Sequence, residues 1–112
     1  MFSCSKNSNK KTLFISHPKS TTGINFSNTL SYTEELNPYT YRNFYNGGGV
    51  GIGDFNNDSL PDVFFTGNLV SNKLYLNKGN FKFKDITEAS GLESSGIWST
   101  GVSIVDINAD GL

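Results

Sequence analysis

The chain is poor in the residues that most site chemistry requires. Its 112 residues include one cysteine, one histidine, one tryptophan and one methionine. The single Cys4 excludes an internal disulfide and any zinc site built from several cysteines. The single His17 leaves no histidine cluster for a transition metal, and it is expected on an exposed loop. Charge of either sign is scarce. Nine Lys+Arg face ten Asp+Glu, for a formal net charge of −1. That balance argues against a dedicated nucleic-acid binder, which carries a basic excess. No apolar run approaches the roughly 18–20 residues that span a bilayer. What is abundant is different. Aromatics reach 13%, with 9 Phe and 5 Tyr, alongside 12 Gly, 14 Asn, 14 Ser and 9 Thr. Aromatics favour strands, and the small polar residues favour turns. The composition therefore predicts an all-β protein with many short connections.

Residues 1–12 read as a polar leader and tether. In Met1-Phe2-Ser3-Cys4 a small residue precedes a cysteine, and Ser5 to Lys11 is polar throughout. Two readings of Cys4 stand. One is the end of a lipoprotein-type signal with Cys4 as the lipidated residue, although a basic start and an apolar segment of about 7–15 residues do not precede it. The other is a free cysteine near a terminus. Residues 13–46 lead into the first repeat. They carry the turn signal Asn37-Pro38 and the aromatic run Tyr39, Tyr41, Phe44 and Tyr45.

From Gly47 the chain reads as strands. Val50 to Gly53 is compact, with glycines where backbones approach closely. Val63 to Thr66 is a continuous apolar run of the kind buried on both faces. Lys73 to Leu76 follows Gly67-Asn68, and Phe81 to Ile86 alternates after the turn at Asn77 to Asn80. Four short strands make a unit of about 40 residues, the size of one propeller blade. The unit then begins again. Gly49-Val50-Gly51-Ile52-Gly53-Asp54-Phe55-Asn56-Asn57-Asp58-Ser59-Leu60 aligns with Gly101-Val102-Ser103-Ile104-Val105-Asp106-Ile107-Asn108-Ala109-Asp110-Gly111-Leu112 at an offset of 52 residues. Hence 47–100 is the expected first repeat and 101–112 the start of a second. A propeller needs about 4–8 blades. The chain is therefore expected to be the N-terminal piece of something longer, with one complete blade and exposed sheet edges.

The repeated loop carries the chemistry. Asp54, Asn56, Asp58 and Asp62 place oxygen side chains at loop positions 1, 3, 5 and 9. Carboxylates drawn together in a tight loop repel unless a cation neutralises them. An all-oxygen set suits Ca²⁺, which takes 6–8 oxygen ligands, better than Mg²⁺ with its strict octahedron. The Leu60 carbonyl, at position 7, is the natural further ligand. An EF-hand is excluded, because position 12 is Phe65 within a strand instead of a bidentate Glu. In the second repeat Asp106, Asn108 and Asp110 begin the same set. Position 6 is Ser59 in one loop and Gly111 in the other. A turn there needs positive φ, so Ser59 is expected to carry strain.

The run from Gly47 to Asn68 closely resembles the FG-GAP/VCBS repeats. Lys73-Leu74-Tyr75-Leu76-Asn77-Lys78-Gly79 and Phe83-Lys84-Asp85-Ile86-Thr87 look like the rest of a blade in the group related to cartilage acidic protein. Members of that group often end in an ASPIC/UnbV domain. The resemblance implies a β-propeller of FG-GAP/VCBS blades, calcium in the inter-strand loops, and an extracytoplasmic, often lipid-anchored, bacterial setting.

Other constellations are weaker. Gly47 to Gly53 lacks the glycine spacing of a dinucleotide loop, and close strand packing accounts for it better. Asp85 and Glu88 resemble paired glycosidase carboxylates, but surface or cap roles fit better. Trp98 is expected to pack between blades, and the Tyr39–Tyr45 aromatics to pack inward or offer a carbohydrate-stacking face. The expected function is a non-enzymatic, calcium-binding surface module with a protein or carbohydrate ligand. No nucleic-acid partner is expected, and any membrane contact would run only through Cys4. The alternative is the N-terminal part of a propeller-based polysaccharide-active enzyme whose catalytic residues lie outside the chain.

Overall fold

The computed structural model describes residues 12–108, so Cys4, Asp110 and most of the polar tether lie outside the described residues. Four strands form one antiparallel sheet in chain order: β1 (Val50–Gly53), β2 (Asp62–Phe65), β3 (Lys73–Asn77) and β4 (Phe83–Asp85). Two one-turn helices flank it, α1 (Lys19–Thr22) and α2 (Thr87–Ser90). The register pairs Gly51 with Phe64, Phe64 with Leu74, and Tyr75 with Asp85. The four strands expected of the first repeat are present, whereas the strand expected to open the second, over 102–105, does not form a ladder among the described residues. Only β4 is shorter than the alternating pattern from Phe81 suggested, because Gly79, Asn80 and Phe81 all have positive φ and extend the turn. That turn is closed by the Lys78 amide donating to the Lys82 carbonyl at 2.7 Å and by the Gly79 amide donating to Asn77 Oδ1 at 2.8 Å.

Alternation along each strand separates the sheet into two faces. One carries Val50, Ile52, Val63, Phe65 and Tyr75. The extended segment 24–30 crosses this face, with Phe26 stacked on Phe65 at 4.9 Å between centroids and the Asn25 amide donating to the Tyr75 hydroxyl at 3.3 Å. Ahead of it, His17 is exposed and stacks on Phe81 at 4.6 Å. The strap covers β2 and β3 but not β1, where Val50 and Ile52 remain 57% and 64% exposed.

The other face carries Gly51, Gly53, Phe64 and Leu74. The start of the second repeat lies across it. Residues 101–106 take no ladder partner among the described residues, yet Val102 and Ile104 rest directly on the β1 glycines. A Cβ on Gly51 would sit 2.9 Å from Ile104 Cδ1, and one on Gly49 would sit 2.7 Å from the Thr100 carbonyl oxygen. Glycine is required here by close approach, not by φ.

Polar side chains knit the repeat boundary. The buried Thr66 hydroxyl accepts from the Gly49 amide at 2.5 Å and donates to the Thr100 carbonyl. Asn68, fully buried, accepts from Asn28 Nδ2 at 2.7 Å and donates through Nδ2 to the Ser99 carbonyl at 2.9 Å. The Leu69 amide donates to the Ile97 carbonyl and the Ser99 amide to the Gly67 carbonyl. Trp98 packs edge-on against Tyr41 at 5.2 Å and beside the buried Phe44 at 5.5 Å. It is a packing residue, as expected, but its ring partners belong to the segment leading into the first repeat and not to a neighbouring blade. The aromatic run is divided: Phe44 and Tyr41 turn inward, while Tyr39 and Tyr45 stay out.

Candidate metal loop between the first two strands

The loop from Asp54 to Pro61 joins β1 to β2 and folds around its own carboxylates. Asp54 accepts the Asp58 amide on Oδ1 at 3.1 Å and the Ser59 amide on Oδ2 at 2.7 Å. Asn56 Oδ1 accepts the same Asp58 amide at 3.1 Å. One backbone nitrogen therefore gathers oxygens from loop positions 1 and 3. Asp58 accepts the Leu60 amide on Oδ1 and Asn56 Nδ2 on Oδ2, both at 2.9 Å. Asp54, Asn56 and Asp58 are thus in mutual contact through shared partners.

Two loop residues leave the usual backbone regions to make this possible. Asn57 has φ 62° and Ser59 φ 67°. Asn tolerates the left-handed region through its short polar side chain, whereas Ser does so less readily. The strain expected at Ser59 is present in its backbone.

Asp62 behaves differently. Its side chain is completely buried at the base of the loop. Oδ2 accepts the Phe55 amide at 2.9 Å, and Oδ1 accepts the Asn77 amide at 2.7 Å. It clamps the loop to the end of β3. Among the described residues no three Asp, Glu, His or Cys side chains converge on one point. The structure brings together Asp54, Asn56 and Asp58 and sets Asp62 beneath them. In the second repeat Asp106 and Asn108 are exposed at the end of the described residues.

The electrostatics follow the hydrogen bonds. Desolvation opposes ionisation of Asp54, but the amides of Ser59, Asp58, Asn57 and Asn56 outweigh it and hold the carboxyl below its ordinary value. Asp85 serves the start of α2 and a surface ion pair. Its Oδ1 accepts both the amide and the hydroxyl of Thr87, at 3.0 and 2.6 Å, and Oδ2 pairs with Lys73 Nζ at 2.9 Å. Desolvation pushes its pKa up, while the Thr87 and Lys73 hydrogen bonds bring it down on balance. Asp85 therefore has a structural surface role one residue ahead of Ile86, the N-cap of α2, and Glu88 is exposed within that helix.

Four short antiparallel strands, an oxygen-rich loop between the first two, and the same loop signature 52 residues later define a protein built from β-sheet repeats. The profile of the FG-GAP-like repeat matches residues 54–112, from the first loop through the second. The chain belongs to the FG-GAP-like repeat family. It is similar to cartilage acidic protein 1 of Xenopus tropicalis, with 34% identity over 70 residues. That stretch is 62% of this chain and 11% of the relative, so the chain spans about a tenth of its length. No solved structure matches the chain. No helix among the described residues is long and apolar enough to cross a membrane.

Proposed function

We propose that this chain is a calcium-stabilised FG-GAP-like repeat, one blade of a β-propeller, serving as an extracytoplasmic binding module. The observation that carries it is the loop itself. Side-chain oxygens of Asp54, Asn56 and Asp58 are held together by shared backbone amides between two paired strands. The donor set fits the ion. It is all oxygen: two carboxylates, a side-chain amide oxygen and a backbone carbonyl. The Leu60 carbonyl accepts no hydrogen bond among the described residues. Asp54, Asn56, Asp58 and the Leu60 carbonyl would hold Ca²⁺, with Asp62 bracing or closing the set. Asp106, Asn108 and Asp110 would serve the second repeat. The ion would cancel carboxylate repulsion and pin the β1–β2 connection, so that binding adds to folding stability. Sites of extracellular modules bind at about 10⁻⁴–10⁻³ M.

The finer placement extends the same reading. We assign the parent protein to the cartilage acidic protein group, with repeats related to ASPIC/UnbV-bearing chains. A bacterial cell-surface or secreted setting follows, with Cys4 as a lipid anchor and a protein or carbohydrate as ligand. The module itself is read as non-enzymatic; the alternative is the N-terminal part of a propeller-based polysaccharide-active enzyme whose catalytic residues lie outside this chain. The test is thermal melting of the purified chain across a Ca²⁺ titration, beside Asp54→Ala/Asp58→Ala. The parent melting temperature is expected to rise with Ca²⁺ and the variant's to stay flat. A parent that melts identically with and without calcium ends the proposal.

A further inference from the structure

Within the binding-module reading, and resting on it, we propose that the cleft rimmed by Tyr32, Tyr39 and Tyr45 is a subsite for a neutral oligosaccharide. The cleft has a volume of about 760 Å³ and is completed by Thr33, Glu34 and Pro38. That size lies within the roughly 300–1,000 Å³ of small-molecule sites. The rings are unusually open, with Tyr39 100%, Tyr32 72% and Tyr45 70% exposed. Aromatic surface gathered in this way marks an interaction site, and tyrosine suits one because it joins an apolar face to a polar tip.

The loop that carries Tyr39 is tied to itself by side-chain hydrogen bonds. Asn37 Nδ2 donates to the carbonyls of Thr33 and Glu34, at 3.1 and 2.9 Å. Asn37 Oδ1 accepts the amides of Tyr39 and Thr40, at 2.9 and 3.2 Å. Thr33 Oγ1 accepts the Leu36 amide at 3.1 Å. These bonds order the backbone from Thr33 to Thr40, on which Tyr39 stands, and so lower the entropy cost of ordering that stretch around a ligand.

The free groups select the ligand. Among the described residues the hydroxyls of Tyr32, Tyr39 and Tyr45 and the Glu34 carboxylate have no hydrogen-bond partner, leaving donors and acceptors for sugar hydroxyls. No Lys or Arg lines the cleft, so an acidic sugar would meet only the like charge of Glu34. No ring contact joins the three tyrosines. They are separate platforms, suited to successive units of a chain. A cage closing on one small cation would need them to converge. A pyranose presents an apolar C–H face to a ring and hydroxyls around its edge, matching each platform with its polar neighbour.

Calorimetric titration of the full chain tests this with cellohexaose, maltohexaose and mannohexaose as neutral probes. Hexagalacturonic acid and tetramethylammonium chloride serve as charged ones. At least one neutral hexasaccharide is expected to bind saturably. Tyr39→Ala and Tyr45→Ala are each expected to weaken it about tenfold. The melting temperature of Tyr39→Ala should stay unchanged, since that ring is fully exposed; Tyr45 also meets the buried Phe44 edge-on at 5.2 Å, so any fall in the melting temperature of Tyr45→Ala reports that contact and the binding loss is read from Tyr39→Ala. No saturable binding by any neutral probe overturns the proposal. So does equal binding by both variants, or binding by the charged probes alone. The calcium melt on the same samples keeps the two readings apart. A chain stabilised by calcium that binds no sugar loses the cleft alone. A chain indifferent to calcium that binds sugar loses the metal loop alone.

Discussion

Replacing Ser59 by glycine should stabilise the chain, and the reason is local. Ser59 sits at loop position 6 with φ 67°. An L-residue with a Cβ in the left-handed region costs about 1–2 kcal/mol. The Ser59 side chain is exposed and makes no hydrogen bond among the described residues, so its removal forfeits no contact. The bond that matters is from the Ser59 amide to Asp54 Oδ2 at 2.7 Å, and glycine keeps that amide. Against the relief stands the greater freedom of glycine in the unfolded chain, about 0.5–1 kcal/mol. The net expectation is a gain of about 0.5–1 kcal/mol. For a domain of this size that raises the melting temperature by about 2–6 °C. Circular dichroism melts at fixed Ca²⁺ measure it. Ser59→Ala is the control, because it removes the hydroxyl but keeps the Cβ, and it should give no rise. A Ser59→Gly melting temperature at or below the parent's refutes the strain argument. A rise shared equally with Ser59→Ala assigns the effect to the hydroxyl instead.

The remaining predictions concern the repeat boundary and the carboxylates. Gly49→Ala would drive a Cβ to 2.7 Å from the Thr100 carbonyl oxygen and prise the second repeat from β1. Overpacking against backbone costs about 1–3 kcal/mol, read as an early denaturant midpoint. Asn68→Ala would leave Asn28 Nδ2 and the Ser99 carbonyl without their partner in a half-buried setting, costing about 1–3 kcal/mol by the same measurement. The pH response has a definite sign. Asp54 and Asp85 are held below their ordinary values when folded, so their contribution is present above the unfolded carboxylate pKa of about 3.9 and is lost as pH falls through the folded values. Lys73 is raised, chiefly by its hydrogen bond to Asp85, and its contribution is lost only as pH rises past about 10.4. Melting temperature should therefore hold steady through neutrality and fall below about pH 4. Asp85→Asn should flatten part of the acid limb.

The sequence alone was enough for the strands and for the repeat. Apolar runs and turn residues marked β1 to β3 closely, because a short strand bounded by Asn, Gly and Asp has few other options. The twelve-residue echo from Gly49 to Gly101 revealed the repeat, because the same local loop needs the same side chains each time. It also pointed to positive φ at Ser59, since glycine stands at the equivalent position. What it could not supply were relations between residues distant in the chain. Asn68 read as a turn residue, yet it is a buried hub joining residues 28 and 99. The aromatic run from Tyr39 to Tyr45 had no periodicity to say which rings turn inward. Only packing against Trp98 decided that Phe44 is core and Tyr39 is open. Asp62 read as one loop carboxylate among several. Tertiary structure set its oxygens on the amides of Phe55 and Asn77, because β3 happens to end where that loop begins. Local chemistry is written in spacing, whereas which surfaces meet is settled only when the sheet is assembled and the second repeat lies across its glycines.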